Sequence, residues 1–175
     1  MFKECVMKRS TLIACSLVAA VAAACASTPP DGGARAALEA RSGSNVAGEV
    51  LFSPIPGGLR VDVRATGLTP GEHGFHVHEV GDCSTPDAMS AKGHFNPTGK
   101  PHGHYGMGEY HVGDIPNLVA DGNGVVRQRM DIMGIALDGP NGVLGRAVII
   151  HADADDYKTQ PAGNSGKRVA CGVIR

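Results

Sequence analysis

Tryptophan is absent from the sequence, and aromatic residues make up only 4% of it. A surface that stacks on nucleic-acid bases needs such side chains, so we expect no nucleic-acid partner. The net charge of the 175 residues is only −1, which argues against a protein that coats a polyanion. No apolar run reaches the roughly 20 residues of a membrane-spanning helix. Apolar residues also do not recur at helical spacing, which argues against a helical bundle.

The N-terminal segment has the pattern of an export signal. Lys8 and Arg9 precede a 14-residue apolar stretch over 11–24, and signal peptides have a central apolar region of roughly 7–15 residues. Residues 24–26 read Ala-Cys-Ala, which is typical of a cleavage site. We therefore predict a signal peptide over residues 1–26.

A second interpretation of the leader involves Cys25. Residues 22–25 read Ala-Ala-Ala-Cys, which resembles the lipobox of bacterial lipoproteins. A lipoprotein signal would end before Cys25, whose thiol would then carry a lipid that anchors the protein to a membrane. In either case we expect a periplasmic or cell-envelope protein, with a polar tether over 27–35 and the folded domain over 36–175.

Two cysteines, Cys83 and Cys171, lie in the chain that follows the leader, 88 positions apart. An even number of cysteines in an exported protein favours one disulfide. Closing so long a loop would stabilise the fold by roughly 4–5 kcal/mol in the chain-entropy model. The alternative is two separate buried thiols.

From residue 34 onward, apolar and polar residues alternate with a period of two. Val61, Val63 and Ala65, for example, are separated by polar residues. The clearest strand signals lie in short runs separated by glycine, proline and asparagine turns, namely 46–53, 61–66, 74–78, 117–120, 125–132, 146–151 and 168–174. This pattern predicts an all-β fold, a Greek-key sandwich or barrel of about eight antiparallel strands. Two long polar segments, 81–116 and 152–167, are the expected functional loops.

Six of the eight histidines fall in these loops and at strand ends, together with one carboxylate: His76, His78, His94, His102, His111, His151 and Asp114. Residues at i and i+2 of a strand share a face, so His76 and His78 can reach one point. Imidazole-rich sites suit copper and zinc, and three nitrogens with one carboxylate complete a tetrahedral zinc site. The spacing alone does not assign each histidine to a metal.

Six sequence segments resemble the copper,zinc superoxide dismutase family, in particular its exported bacterial branch. The resemblance extends over about residues 36–175, and the segments that carry it are 71–79, 81–83, 93–97, 111–114, 151–156 and 168–174. It implies a superoxide dismutase that binds copper and zinc. The implied copper ligands are His76, His78, His94 and His151. The implied zinc ligands are His94, His102, His111 and Asp114.

The resemblance also implies roles around the metals. Asp155 corresponds to a carboxylate that links His76 to His102, and Arg168 to an arginine at the rim that guides the substrate anion. The two body cysteines, Cys83 and Cys171, correspond to the family's disulfide.

The implied reaction converts superoxide to oxygen and hydrogen peroxide by redox cycling of copper. His94 would act as an imidazolate between the metals that is protonated when copper is reduced. Lys158, Lys167 and Arg168 flank the second long loop and would help to attract the anion toward copper. A monomer and a homodimer are both compatible with the sequence.

Two histidines remain outside this set. His73 is expected to pack beside the site, and His104 is expected to be exposed, although its position leaves it as an alternative to His102. The competing interpretation of the whole chain is a non-enzymatic periplasmic protein that binds copper or zinc. Retention of every copper ligand and of Arg168 favours the enzyme.

Overall fold

Eight antiparallel strands form the regular structure of residues 32–175, the part of the chain that the computed structural model describes. The strands are β1 (Ala34–Ala40), β2 (Ala47–Ile55), β3 (Gly58–Thr66), β4 (Gly71–His78), β5 (Asp114–Ala120), β6 (Val126–Met133), β7 (Ala147–His151) and β8 (Arg168–Val173). The predicted signal peptide 1–26, Cys25 and residues 27–31 of the predicted tether lie outside the described residues. The all-β prediction is confirmed.

The strands follow the order β5-β4-β7-β8-β1-β2-β3-β6 and curl into a nearly closed barrel. The two end strands, β5 and β6, meet at a seam that the side chain of Gln128 bridges. Its Oε1 accepts from Val119 N over 3.1 Å, and its Nε2 donates to Asn117 O over 3.0 Å. Around this seam, β4, β5 and β6 are consecutive neighbours and β7 returns to lie beside β4, which is a Greek-key arrangement.

The core fills the barrel with the inward-facing residues of all eight strands. In β3, for example, Leu59, Val61 and Val63 are buried while the side chains between them face outward. Two of those outward side chains pair with β6, since Arg60 contacts Asp131 at 2.8 Å and Asp62 contacts Arg129. Alternation thus separates an apolar interior from a charge-paired surface.

Two predicted boundaries were wrong by a few residues. β1 begins at Ala34, so Ala34 and Arg35 belong to the barrel rather than to the tether. The first long loop ends at residue 113, because residues Asp114–Pro116 open β5. Proline is tolerated there because β5 is an end strand and Pro116 lies at an irregularity in its pairing with β4, where it has no ladder partner.

The two long loops of the structure are therefore 79–113 and 152–167. The 3₁₀ turn Met89–Ala91 is the only helical element in the described chain. Between residues 32 and 175 there is no helix with the length and apolar character needed to cross a membrane.

Candidate metal centre

The outer face of β4 carries two histidines of the predicted metal site. Phe75 and Val77 belong to the barrel core, so strand alternation turns His76 and His78 to the opposite face. β7, the antiparallel neighbour of β4, ends at His151. All three histidines are buried, since the two long loops cover this face of the barrel.

Four histidines form the first ligand group, which consists of His76, His78, His94 and His151. Each ring offers one nitrogen, and these atoms all lie within 4.8 Å of one another. Nδ1 of His76 and Nε2 of the other three are buried without a hydrogen-bond partner. A buried polar atom without a partner costs free energy, so a cluster of four fits a metal ion.

The environment of the first ligand group favours neutral imidazole, the form that binds metals. Burial holds the pKa of His78 and of His151 well below the usual value. Burial, and after it the neighbouring His76 ring, lowers the pKa of His94 to about 4. Burial also lowers the pKa of His76, although Asp155 opposes the shift.

The second ligand group consists of His94, His102, His111 and Asp114, and it is gathered around the carboxylate. His94 Nδ1 donates to Asp114 Oδ1 over 2.8 Å. The Nδ1 atoms of His102 and His111 lie 3.0 and 3.2 Å from the Asp114 oxygens, without hydrogen-bond geometry. Three nitrogens and one carboxylate are the donor set of a closed zinc site.

In the second ligand group, contacts between carboxylates and imidazoles outweigh burial in setting the pKa values of His102 and Asp114. Burial lowers the pKa of His102, but contacts with Asp114 and Asp155 outweigh it and raise the pKa to about 9. Burial opposes ionisation of Asp114, yet contacts with His102, His111 and His94 hold its pKa far below the usual range. The carboxylate is thus ionised and ready to balance the charge of a cation.

Asp155 lies between the two ligand groups. Its Oδ2 accepts from His76 Nε2 over 2.8 Å, and its Oδ1 accepts from His102 Nε2 over 3.0 Å. Each of these rings therefore turns its Nδ1 toward a ligand group. Outer carboxylates commonly fix metal-binding imidazoles in this way.

Three residues that the sequence did not single out hold Asp155 in place. Asn117 bonds its backbone on both sides, accepting from Asp155 N and donating to Asp155 O over 3.0 Å each. Tyr157 N donates to Asp155 Oδ1 over 2.7 Å. Gly163 lies so close that a methyl group there would overlap the carboxylate. No periodicity or motif marks such polar and glycine positions, so the sequence offered no signal for them.

Gln160 fixes the backbone of His102 and was also missed. His102 N donates to its Oε1 over 2.9 Å, and its Nε2 donates to His102 O over 2.8 Å. This amide pair ties the loop 152–167 to the loop 79–113. The second ligand group therefore depends on contact between the two loops.

A cavity of about 310 Å³ opens over the first ligand group. It is lined by His78, Gly93, His94, Asn96, His111, His151, Pro161, Ala162 and Arg168. Arg168 Nη1 and Nη2 donate to Ala88 O and Lys92 O over 2.8 and 2.6 Å. The structure thus places a cation at the mouth of the cavity.

The segment that holds Arg168 is itself attached to the outside of the barrel. Ala88 and Ala91 are buried against Ala147 and Ile149 of β7. The predicted disulfide between Cys83 and Cys171 is present and links the segment to β8.

Four other residues considered from the sequence lie outside both ligand groups. His73 is buried, with Nδ1 donating to His151 O over 2.8 Å. His104 is part-buried rather than exposed as expected, because it donates to Tyr105 O and its ring contacts Tyr157. His102, not His104, belongs to the second group. Lys158 and Lys167 are exposed and do not line the cavity.

Comparison with known proteins identifies the family. The family profile for copper/zinc superoxide dismutase (SODC) matches residues 46–174. The chain is 44% identical over 142 residues to the Cu-Zn superoxide dismutase of Deinococcus radiodurans, covering 74% of this chain and 78% of that protein. It is 47% identical over 124 residues to Cu-Zn superoxide dismutase 2 of Aquifex aeolicus, covering 67% and 72% respectively.

A solved structure, that of the clock protein EA4, is similar with a TM-score of 0.75 and 43% sequence identity. The alignment covers 85% of this chain and 96% of that one. The profile match extends over strands β2 to β8 and both long loops. The chain therefore belongs to the copper/zinc superoxide dismutase family.

Proposed function

We propose that this chain is a superoxide dismutase whose first ligand group binds copper and whose second binds zinc. The observation that carries the proposal is His94, which offers a nitrogen to each group beneath a cavity lined by Arg168. Four imidazole nitrogens suit copper, and the nitrogen-and-carboxylate set suits zinc. The names of the relatives support the same activity.

Bound copper supplies reversible one-electron transfer: one superoxide is oxidised to oxygen, and a second takes up one electron and two protons to become hydrogen peroxide. His94, His102, His111 and Asp114 would hold zinc, which has no redox chemistry and would supply a structural charge beside the ring of His94. The chain's own residues do the remaining work of binding the anion, excluding water and moving protons.

Arg168 binds and orients the substrate. Its guanidinium is half-buried at the cavity mouth, where carbonyl groups hold it in one position. A fixed cation beside the ligand group attracts a small anion although the whole chain is slightly acidic. Exposed Lys158 and Lys167 add to this attraction from outside the cavity.

His94 holds and releases a proton at Nε2. That atom is buried, lacks a hydrogen-bond partner and faces the first ligand group, while Nδ1 stays with the second. A proton held at this atom lies on the side of the first ligand group, from which it can pass to the peroxide product. Asp155 keeps His76 and His102 aligned throughout.

The experiment is dismutation of superoxide by the chain loaded with copper and zinc, compared with His151→Ala and with His104→Ala as a matched control. His151 belongs to the first ligand group, whereas His104 belongs to neither. We expect activity in the wild type and His104→Ala and its loss in His151→Ala. Stoichiometric metal uptake without activity in the wild type would contradict the proposal and favour a metal-storage role.

We further propose that the protein is exported through its leader, residues 1–26. The disulfide between Cys83 and Cys171 supports this, because disulfides persist in oxidising compartments. The mass of the protein recovered from cells tests the proposal. A chain that begins at Ser27 means a free periplasmic protein, a lipid-modified Cys25 means an anchored one, and an intact leader means no export.

A further inference from the structure

The turn between β1 and β2 carries Arg41, whose guanidinium is bonded to the segment 83–92. Nε and Nη2 both donate to Cys83 O, over 2.9 and 2.6 Å. Nη1 donates to Ala40 O over 2.7 Å, and Nη2 also pairs with Glu39 over 2.8 Å. The side chain is only 15% exposed, so it is held in one position rather than solvated.

The rest of the turn holds the strand that carries Arg168. Arg41 N donates to Val169 O over 2.9 Å, and the Ser44 hydroxyl donates to the same carbonyl over 2.6 Å. Ser42 N donates to Pro86 O over 2.7 Å. The turn 41–44 thus joins the backbone next to Arg168 to the start of the segment 83–92.

The far end of that segment holds the guanidinium of Arg168 through Ala88 O and Lys92 O. Both of these residues have positive φ angles, 57° and 60°. Residues other than glycine seldom adopt this region, so the surrounding contacts must hold the segment in shape. At Cys83 the disulfide fixes the side chain and Arg41 fixes the carbonyl.

We propose that Arg41 is a positioning residue for Arg168. By fixing Cys83 O, it keeps the segment 83–92 in the shape that presents two carbonyls to the Arg168 guanidinium. Anion affinity at the cavity therefore depends on a side chain of the β1–β2 turn that does not line it. The inference rests on the proposed function for the identity of the anion, but the binding of any small anion that coordinates copper can be used to measure the effect.

The test is a spectroscopic titration of the copper- and zinc-loaded chain with azide, in a double-mutant cycle of Arg41→Ala and Arg168→Ala. We expect Arg41→Ala to weaken azide binding about three- to tenfold, because the well-positioned Arg168 is populated for a smaller fraction of the time. Arg168→Ala should weaken it at least as much. In the Arg168→Ala background, Arg41→Ala should then have no further effect.

Two further variants separate positioning from charge. Arg60→Ala likewise removes a salt-bridged arginine, but one that pairs β3 with β6 and is not bonded to the segment 83–92, so it should leave azide affinity unchanged. Arg41→Lys keeps the charge but lacks the fork that makes two bonds to Cys83 O, so it should fall between wild type and Arg41→Ala. An equal loss of affinity with and without Arg168 would overturn the proposal, since simple charge loss would explain it.

We call the bonds from Arg41 to Cys83 O the clamp. Amide hydrogen exchange over residues 84–92 measures its effect on the segment without any metal, so it also works for a variant that binds copper poorly. We expect faster exchange there in Arg41→Ala and wild-type rates in Arg60→Ala. Unchanged exchange together with unchanged azide affinity would refute the clamp. If the wild type lacked dismutation yet the azide cycle behaved as expected, the proposed function would fail while the clamp stood.

Discussion

The two ligand groups share His94 but differ in the charged groups that they contain. The first is built of imidazoles alone, and burial lowers the pKa of all four of them. The second is centred on the ionised Asp114, and the pKa of its His102 is raised to about 9. Contact with both Asp114 and Asp155 thus decides whether a buried histidine stays neutral or holds a proton until a metal displaces it.

The groups also differ in the elements that carry them. His76, His78 and His151 lie on strands of the barrel, so three members of the first group are fixed by the sheet ladder. His102 and His111 lie on the loop 79–113, which needs Gln160 of the other loop to hold it. We infer that the first group is preformed by the barrel and that the second depends on loop order.

The largest effect should come from removing the carboxylate of the second group. Asp114→Asn deletes the charge that balances a cation, so zinc affinity should fall by more than about 100-fold. Copper affinity of the first group should change much less. Competitive titration with a chelator measures both, with Asp62→Asn, which is paired with Arg129 on the barrel surface, as the control. Equal losses of both metals would show that the groups are not separable.

A smaller effect, common to both groups, should follow from Asp155→Asn. The amide can accept only one of the two imidazole bonds, so affinity for each metal should fall by about 10- to 100-fold. Asp156→Asn is the matched control, because that carboxylate bonds to Lys158 N and to Thr159 within its own loop. Loss of zinc alone would contradict a linking role for Asp155.

Proton release on metal binding should distinguish the groups directly. With its pKa at about 9, His102 carries an extra proton at pH 7, and zinc must displace it. We therefore expect release of about one proton from His102 per zinc, a release that His102→Ala lacks. Copper added alone to the lowered-pKa histidines should release none, because the shared His94 must give up its last proton only when both metals are bound. Calorimetry in buffers of different ionisation enthalpy measures both numbers, and equal release for the two metals would contradict the comparison.

The mildest effect concerns the stability of the metal-free protein. His94 has a lowered folded pKa of about 4 against 6.5 unfolded, so its contribution is lost as pH falls from 6.5 toward 4. His102 has a raised folded pKa of about 9, so its contribution is complete below 6.5 and is lost as pH rises through 9. Urea unfolding across pH should show the alkaline loss in the wild type and its absence in His102→Ala. An alkaline loss of the same size in that variant would assign it elsewhere.

The strands and the strand-borne histidines were predictable because their pattern is geometric. A period of two places His76 and His78 on one face whatever the surroundings. The sequence of β1 shows no clear alternation of large apolar and polar residues, because its inward positions include the small Ala34 and Ala36. The strand forms by pairing with β2 and β8. Pro116 looked like part of a loop because the free side of β5 cannot be read from sequence.

The loop ligands could be named as candidates from the sequence, but they could be assigned to one metal or the other only through the family resemblance. The paths of the loops that bring His102 beside Asp114 are set by contacts between distant segments, such as the amide of Gln160 on His102. The contact of Asn117 with Asp155 likewise joins segments that are distant in the sequence, and the close approach of Gly163 to Asp155 depends on the path of the loop. Periodicity records which face a residue occupies, and it carries no information about such contacts.

The position of His94 in both ligand groups means that one imidazole should serve two different metals. Crystals of the copper- and zinc-loaded protein, measured at the X-ray absorption edges of both elements, test it directly. We predict one copper peak in the first ligand group and one zinc peak in the second, with His94 contacting both. Zinc in the first group, copper in the second, or a His94 ring that contacts one metal only would contradict the claim.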